Sequence, residues 1–155
     1  MNASTRTTRE CSLDDLQPEI AAAVRKHLEL YKMETIRPGI VMCCETTSTE
    51  KKPGLFNRGV ETTITAALLT AEWLIVAVKK GSEEPGVISG QLRSLQVHNF
   101  EDSAMFKINP DTGLNITGQY SDVTKQGMVF IGLGPEPAAL KFRQVLDEAI
   151  QKTGN

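Results

Sequence analysis

The sequence predicts an α+β fold that is mainly β. Apolar residues recur at spacings of three and four from Leu13 to Tyr31, then alternate with a period of two from Ile40 to Leu133. After Pro137 the helical spacing returns. Helices are thereby confined to the two ends of the chain, and no crossover helix separates the strands, which excludes an alternating β/α architecture. The 155 residues make one domain, long enough to bury a single core without disulfides or metals.

Taken in order, residues 1–12 are polar and aperiodic and read as a disordered tail. Residues 13–35 form an N-terminal amphipathic helix in which Leu13, Leu16, Ile20, Val24, Leu28 and Tyr31 line one stripe. Pro18 suits a first helical position, so the regular helix starts there, after a separate turn over Ser12 to Asp15. His27 borders the stripe as a partly exposed helix residue, and Pro38-Gly39 breaks the helix.

About seven short strands follow. They are placed at Ile40 to Thr49, Val60 to Leu69, Trp73 to Lys79, Val87 to Ser89 with Leu95 to Phe100, Met105 to Asn109 with Leu114 to Tyr120, and Met128 to Leu133. Asn109-Pro-Asp-Thr-Gly113 predicts a hairpin, because Pro-Asp suits a type I turn and Gly113 can take a left-handed conformation. Pro135 and Pro137 then open a closing helix with Ala138, Ala139, Phe142, Val145, Leu146, Ala149 and Ile150 on its apolar face.

Composition narrows the function classes. A formal charge of -2 with scattered basic residues argues against a nucleic-acid partner. The longest apolar stretch, Ile64 to Val78, contains Thr70 and Glu72 and falls short of the roughly 20 residues that span a bilayer. With no apolar signal segment in Met1 to Ser12, the expected location is cytoplasmic. Cys11, Cys43 and Cys44 show no zinc-ligand spacing. The adjacent pair reads as one buried small hydrophobe and one outward thiol, with no chemistry assigned.

This element order resembles that of the pleckstrin-homology (PH) superfold. Leu69-Thr70-Ala71-Glu72-Trp73-Leu74 resembles the turn and third strand of bacterial PH-like domains, and Val87-Ile88-Ser89 to Leu92-Arg93-Ser94-Leu95 is similar to the segment that follows it. The resemblance covers Ile36 to Lys152 and implies that residues 36–155 are a PH-like, partly open barrel of two bent sheets, one end plugged by the last helix. It implies core positions for Trp73, Phe106, Phe130 and Phe142, with a binding aromatic as the alternative for Trp73. The N-terminal helix is then an addition that packs on the barrel or on another subunit.

Few residues offer chemistry. Gly132-Leu-Gly134 ends a strand and precedes a helix, as phosphate-binding turns do, but Pro137 occupies the place of a third glycine and the two prolines lack the N–H groups a phosphate needs. It reads as a strand-to-helix joint. His27 and His98 have no adjacent nucleophile set, and the acidic pairs Asp14-Asp15, Glu83-Glu84 and Glu101-Asp102 lie at element ends. No catalytic residue, metal site or cofactor is expected.

The basic stretch Lys51 to Arg58 lies where phosphoinositide-binding PH domains hold headgroup phosphates. By that resemblance Lys51, Lys52 and Arg58, helped by Lys79 and Lys80, would bind an anion or lipid headgroup, with Leu55-Phe56 either entering the interface or folding back. The second arginine of the family pattern is absent, since Gly59-Val60 follows Arg58. The expected function is a non-catalytic PH-like interaction module that binds a protein partner or itself, with a peripheral module on an anionic membrane surface as the alternative.

Overall fold

A computed structural model describes residues 5–51, 59–121 and 125–154. Strand β1 (Thr5–Glu10) leads through a single turn at Leu13–Asp15 into helix α1 (Pro18–Leu30). Strands β2 (Met42–Lys51), β3 (Val60–Leu69), β4 (Trp73–Lys80), β5 (Gly86–Gln91) and β6 (Gln96–Asn99) follow, then a short helix α2 (Met105–Ile108). Strands β7 (Gly113–Gly118) and β8 (Gly127–Gly132) and helix α3 (Pro137–Gln151) complete the chain. The strands form two antiparallel sheets, ordered β1-β2-β3-β4-β5 and β6-β7-β8, and neither closes into a barrel.

The five-stranded sheet is buried on both faces, which explains its unbroken apolar runs. Toward α1, Cys43, Ala66, Leu68, Ile75 and Ala77 meet Leu13, Leu16, Ile20, Val24 and Leu28. On the opposite face, Met42, Cys44, Ala67, Leu69, Leu74 and Val76 meet Leu114, Ile116 and Ile131 of the small sheet and Ala139, Phe142 and Leu146 of α3. Ile20, Val24 and Leu28 are fully enclosed. At about 1.5–3 kcal/mol per buried side chain, these three alone hold α1 against its own sheet by several kcal/mol. The expected amphipathic helix therefore packs within the chain.

Local chemistry sets the boundaries. Gln17 caps α1 by accepting the Ile20 N–H, and Pro18 opens the helix as expected. The helix ends at Leu30, before Pro38-Gly39, and Lys32 takes a left-handed φ of 56°. In the Leu69 to Trp73 turn, buried Thr70 accepts the N–H groups of Glu72 and Trp73 through its hydroxyl, at 3.2 and 2.9 Å.

Several expectations are corrected. Residues 5–10, read as tail, are an edge strand paired with β2 from Thr5↔Thr49 to Glu10↔Cys44. Their pattern hid this because the inward positions are polar: Thr8 is buried and shares a hydrogen bond with Thr46, and the Arg6 Nε donates to Ser48. Met105 to Ile108 is helical, with the N–H of the capping Asn109 closing on the Met105 carbonyl. The hairpin expected across Asn109 to Gly113 is thus absent, and β7 pairs instead with β6 and β8. Of the four implied core aromatics only Phe142 is fully enclosed; Trp73, Phe106 and Phe130 are half-buried.

Candidate functional site

The predicted basic site does not assemble among the described residues. Lys52 and Arg58 lie outside them. Lys80 stands opposite Thr63, which stands opposite Ser48; Lys51 lies three residues beyond Ser48 and so on the other face of the sheet. Lys79 shares the face of Lys51, but their register separates them by four residues along and two strands across, roughly 16 Å. Lys79 Nζ donates to the Gly81 carbonyl at 2.7 Å and lies 4.0 Å from Glu19, and Lys80 lies 3.6 Å from Glu61. Lys51 is exposed.

The glycine turn binds its own chain. The Gly134 N–H donates to Thr8 Oγ1 at 2.9 Å, and the Thr8 N–H donates to Glu136 Oε1 at 2.7 Å. The donor a phosphate would use is thereby engaged by β1, and a carboxylate occupies the helix start. Close approach explains both glycines: a Cβ on Gly134 would lie 2.7 Å from the Arg6 carbonyl oxygen, and one on Gly132 would lie 2.9 Å from Arg6 Cζ. The turn is the seam where β1 joins the start of α3.

Beside that seam opens a cleft of about 1160 Å³. Its walls come from β1 (Thr5, Arg6), the segment from Asn99 to Thr112, and the outer side of α3 (Leu140, Arg143, Gln144, Asp147, Glu148). Arg6 is ion-paired with Asp111 and lies 5.4 Å from the Phe130 ring, and burial lowers its pKa. Arg143 reaches Glu101 at 3.2 Å and donates to Asn99 at 2.8 Å. Both guanidiniums are thus matched to carboxylates, while Asp147 and Glu148 add two further negative groups to the rim. Leu140 is 66% exposed on the cleft wall, and Phe106 lines it half-buried.

The fold also makes a polar pair that no local motif announced. His27 Nε2 and Ser89 Oγ lie 2.9 Å apart, both buried, between α1 and β5. The sequence treats His27 as partly exposed, yet its ring lies under the helix and packs 4.5 Å from Tyr31. An imidazole beside a hydroxyl can activate a nucleophile when oxyanion donors stand nearby. Here the Ser89 N–H donates to Ser121 Oγ at 3.0 Å and is committed. The pair satisfies two buried polar groups and joins α1 to the sheet.

Among the described residues, no group of three His, Cys, Asp or Glu side chains is placed to hold a metal ion, and no helix is long and apolar enough to cross a membrane. No protein-family model, no curated protein and no solved structure matches the chain.

Proposed function

We propose that the chain is a non-catalytic interaction module of the PH-like kind, and that its α3 cleft takes an extended protein segment carrying an apolar anchor beside basic residues. The observation that carries this reading is the cleft itself, where exposed Leu140 and half-buried Phe106 provide apolar surface beneath a rim with more carboxylates than guanidiniums. Strand β6 bounds the same region and is a sheet edge, so its backbone can pair with an incoming strand. The PH-like reading draws support from the order of elements: β2 to β5 in one sheet, β6 to β8 in the other, then one terminal helix.

The test is a selection of displayed random peptides on the intact protein, followed by affinity measurement on Leu140→Glu and on the double variant Asp147→Lys, Glu148→Lys. Selected peptides should combine a large apolar residue with Lys or Arg, and each variant should weaken them at least about tenfold. Enriched peptides without basic residues, or affinities unmoved by either variant, would overturn the assignment.

A further inference from the structure

Cys11, Cys43 and Cys44 are free thiols that lie outside the α3 cleft, and the fold brings two of them together. Cys11 follows β1 directly, and its N–H donates to the Cys43 carbonyl at 3.0 Å, so the two residues stand opposite one another at the end of the β1–β2 ladder. Their sulfurs lie 3.9 Å apart. Cross-strand Cα distances of about 4.5–5.5 Å fall within the range a disulfide spans, so side-chain rotation can close most of the remaining gap.

Access and selectivity are also built in. Cys11 is half-buried, and both residues line a recess of about 360 Å³ together with Ser12, Leu13, Asp14 and Arg37. Cys44 points the other way, into the core between the sheets, and is 1% exposed. The two sulfurs of the pair differ in character: the hydrogen bond with Cys43 and the nearby Arg9 favour the thiolate of Cys11, whereas that hydrogen bond and burial disfavour the thiolate of Cys43.

We propose that Cys11 and Cys43 are a thiol–disulfide modification site, with Cys11 the thiol that a hydroperoxide oxidises and Cys43 the resolving thiol. The Cys11 thiolate attacks one peroxide oxygen, the O–O bond breaks, and the departing oxygen leaves as water or alcohol after taking a proton. Cys11 is then a sulfenic acid. The Cys43 sulfur attacks it, forms the S–S bond and displaces hydroxide, which leaves as water with the Cys43 proton. Two thiols lose two electrons and the peroxide gains them. The product ties the end of β1 to β2, and an external dithiol reverses it by exchange.

The experiment treats the fully reduced chain with equimolar hydrogen peroxide, blocks remaining thiols after denaturation, and maps the peptides by mass. The expected result is the loss of two hydrogen masses, one linked pair containing Cys11 and Cys43, and a blocked Cys44. Cys43→Ser should instead accumulate a sulfenic acid on Cys11 that a cyclic dione traps, while Cys11→Ser should consume peroxide at least about tenfold more slowly than wild type. A linkage through Cys44, a link between two chains, or overoxidation of Cys11 in the wild type without any Cys11–Cys43 link would overturn the proposal. The mapping uses unaltered protein, so the result stands even if a variant folds poorly.

Discussion

Replacing Gly134 by Ala probes the seam on which the N-terminal strand depends. The new methyl would sit 2.7 Å from the Arg6 carbonyl oxygen and 3.1 Å from its carbon, and would also run into Glu136 Oε1. Carbon atoms separate to about 3.5 Å, and backbone lines one side, so no rotamer change relieves the overlap. The strand or the turn must move, and two hydrogen bonds go with it: Gly134 N–H to Thr8 Oγ1 and Thr8 N–H to the Glu136 carboxylate. The first is worth about 0.5–1.5 kcal/mol and the charge-assisted one about 1.5–3 kcal/mol. Reduced freedom of the unfolded chain returns about 0.4–1 kcal/mol. The net loss is about 1–4 kcal/mol, or a melting temperature lower by about 2–16 °C in a domain of this size. Gly39→Ala is the matched control, since nothing lies within 4 Å of a Cβ there. Thermal melts should separate the two variants, and amide exchange should quicken first over Arg6 to Thr8. A Gly134→Ala melt within about 1 °C of the control would refute the close-approach argument.

Other perturbations follow from the same geometry. His27→Ala leaves the buried Ser89 hydroxyl with the weaker Met33 sulfur contact at 4.0 Å in place of the imidazole and should cost about 1–3 kcal/mol, while adding Ser89→Ala should cost less than the sum of the single changes in a double-mutant cycle. Alkaline titration should destabilise the chain, because burial pushes Cys44 from an ordinary 9.0 to about 12 and raises Tyr120 above its ordinary 10.0. Both groups hold their protons more tightly when folded, so the stability they contribute is complete below 9.0 and is lost as pH rises, for Cys44 between 9.0 and about 12. Tyr120→Phe should shallow that decline in urea melts above pH 10, and an unchanged slope would show that Tyr120 has no part in it. Retention on anionic vesicles at low salt should be weak and barely altered by Lys79→Glu with Lys80→Glu, since Glu19 and Glu61 lie beside those lysines; strong retention abolished by the pair would favour the lipid reading over the peptide-binding one.

Much of the fold was legible because each signal was local. The stripe from Leu13 to Leu28, Pro18 at the helix start, the long β3 and β4 runs and the prolines before α3 each act within a turn or a strand. What misled was the segment from Met105 to Asn109, too short for periodicity to choose between strand and helix; Met105 to Ile108 closes as one helical turn outside both sheets. β1 was hidden for a different reason. Its inward side chains are Arg6 and Thr8, whose partners Ser48, Asp111 and Thr46 lie far along the chain, and a hydrophobic pattern cannot report a polar seam. The same holds for the candidate sites: the α3 cleft, the His27–Ser89 pair and the Cys11–Cys43 pair each join residues distant in sequence. The basic stretch was visible because its residues are close in sequence, but Lys52 and Arg58 lie outside the described residues, and Lys79 and Lys80, adjacent on β4, point to opposite faces of the sheet.

The N-terminal arm consequently does more than decorate the sheets. Helix α1 covers the face formed by Ala66, Leu68, Ile75 and Ala77, and β1 fills the seam beside Gly132 and Gly134. Removing residues 1–35 would expose that apolar face and leave the Glu136 carboxylate and the Gly134 N–H without Thr8. Such a deletion reports on folding, and aggregation of the truncated chain would say nothing about native assembly. Self-association is better tested on the intact chain by substituting residues that are exposed in it. Met128→Asp on β8 and Leu140→Asp on α3 alter surfaces that are 64% and 66% exposed, so each should leave the melting temperature within about 2 °C. If copies dock through either face, a larger light-scattering mass should fall to that of one chain in the matching variant alone. A mass unchanged in both would remove β8 and the α3 cleft as contacts between copies.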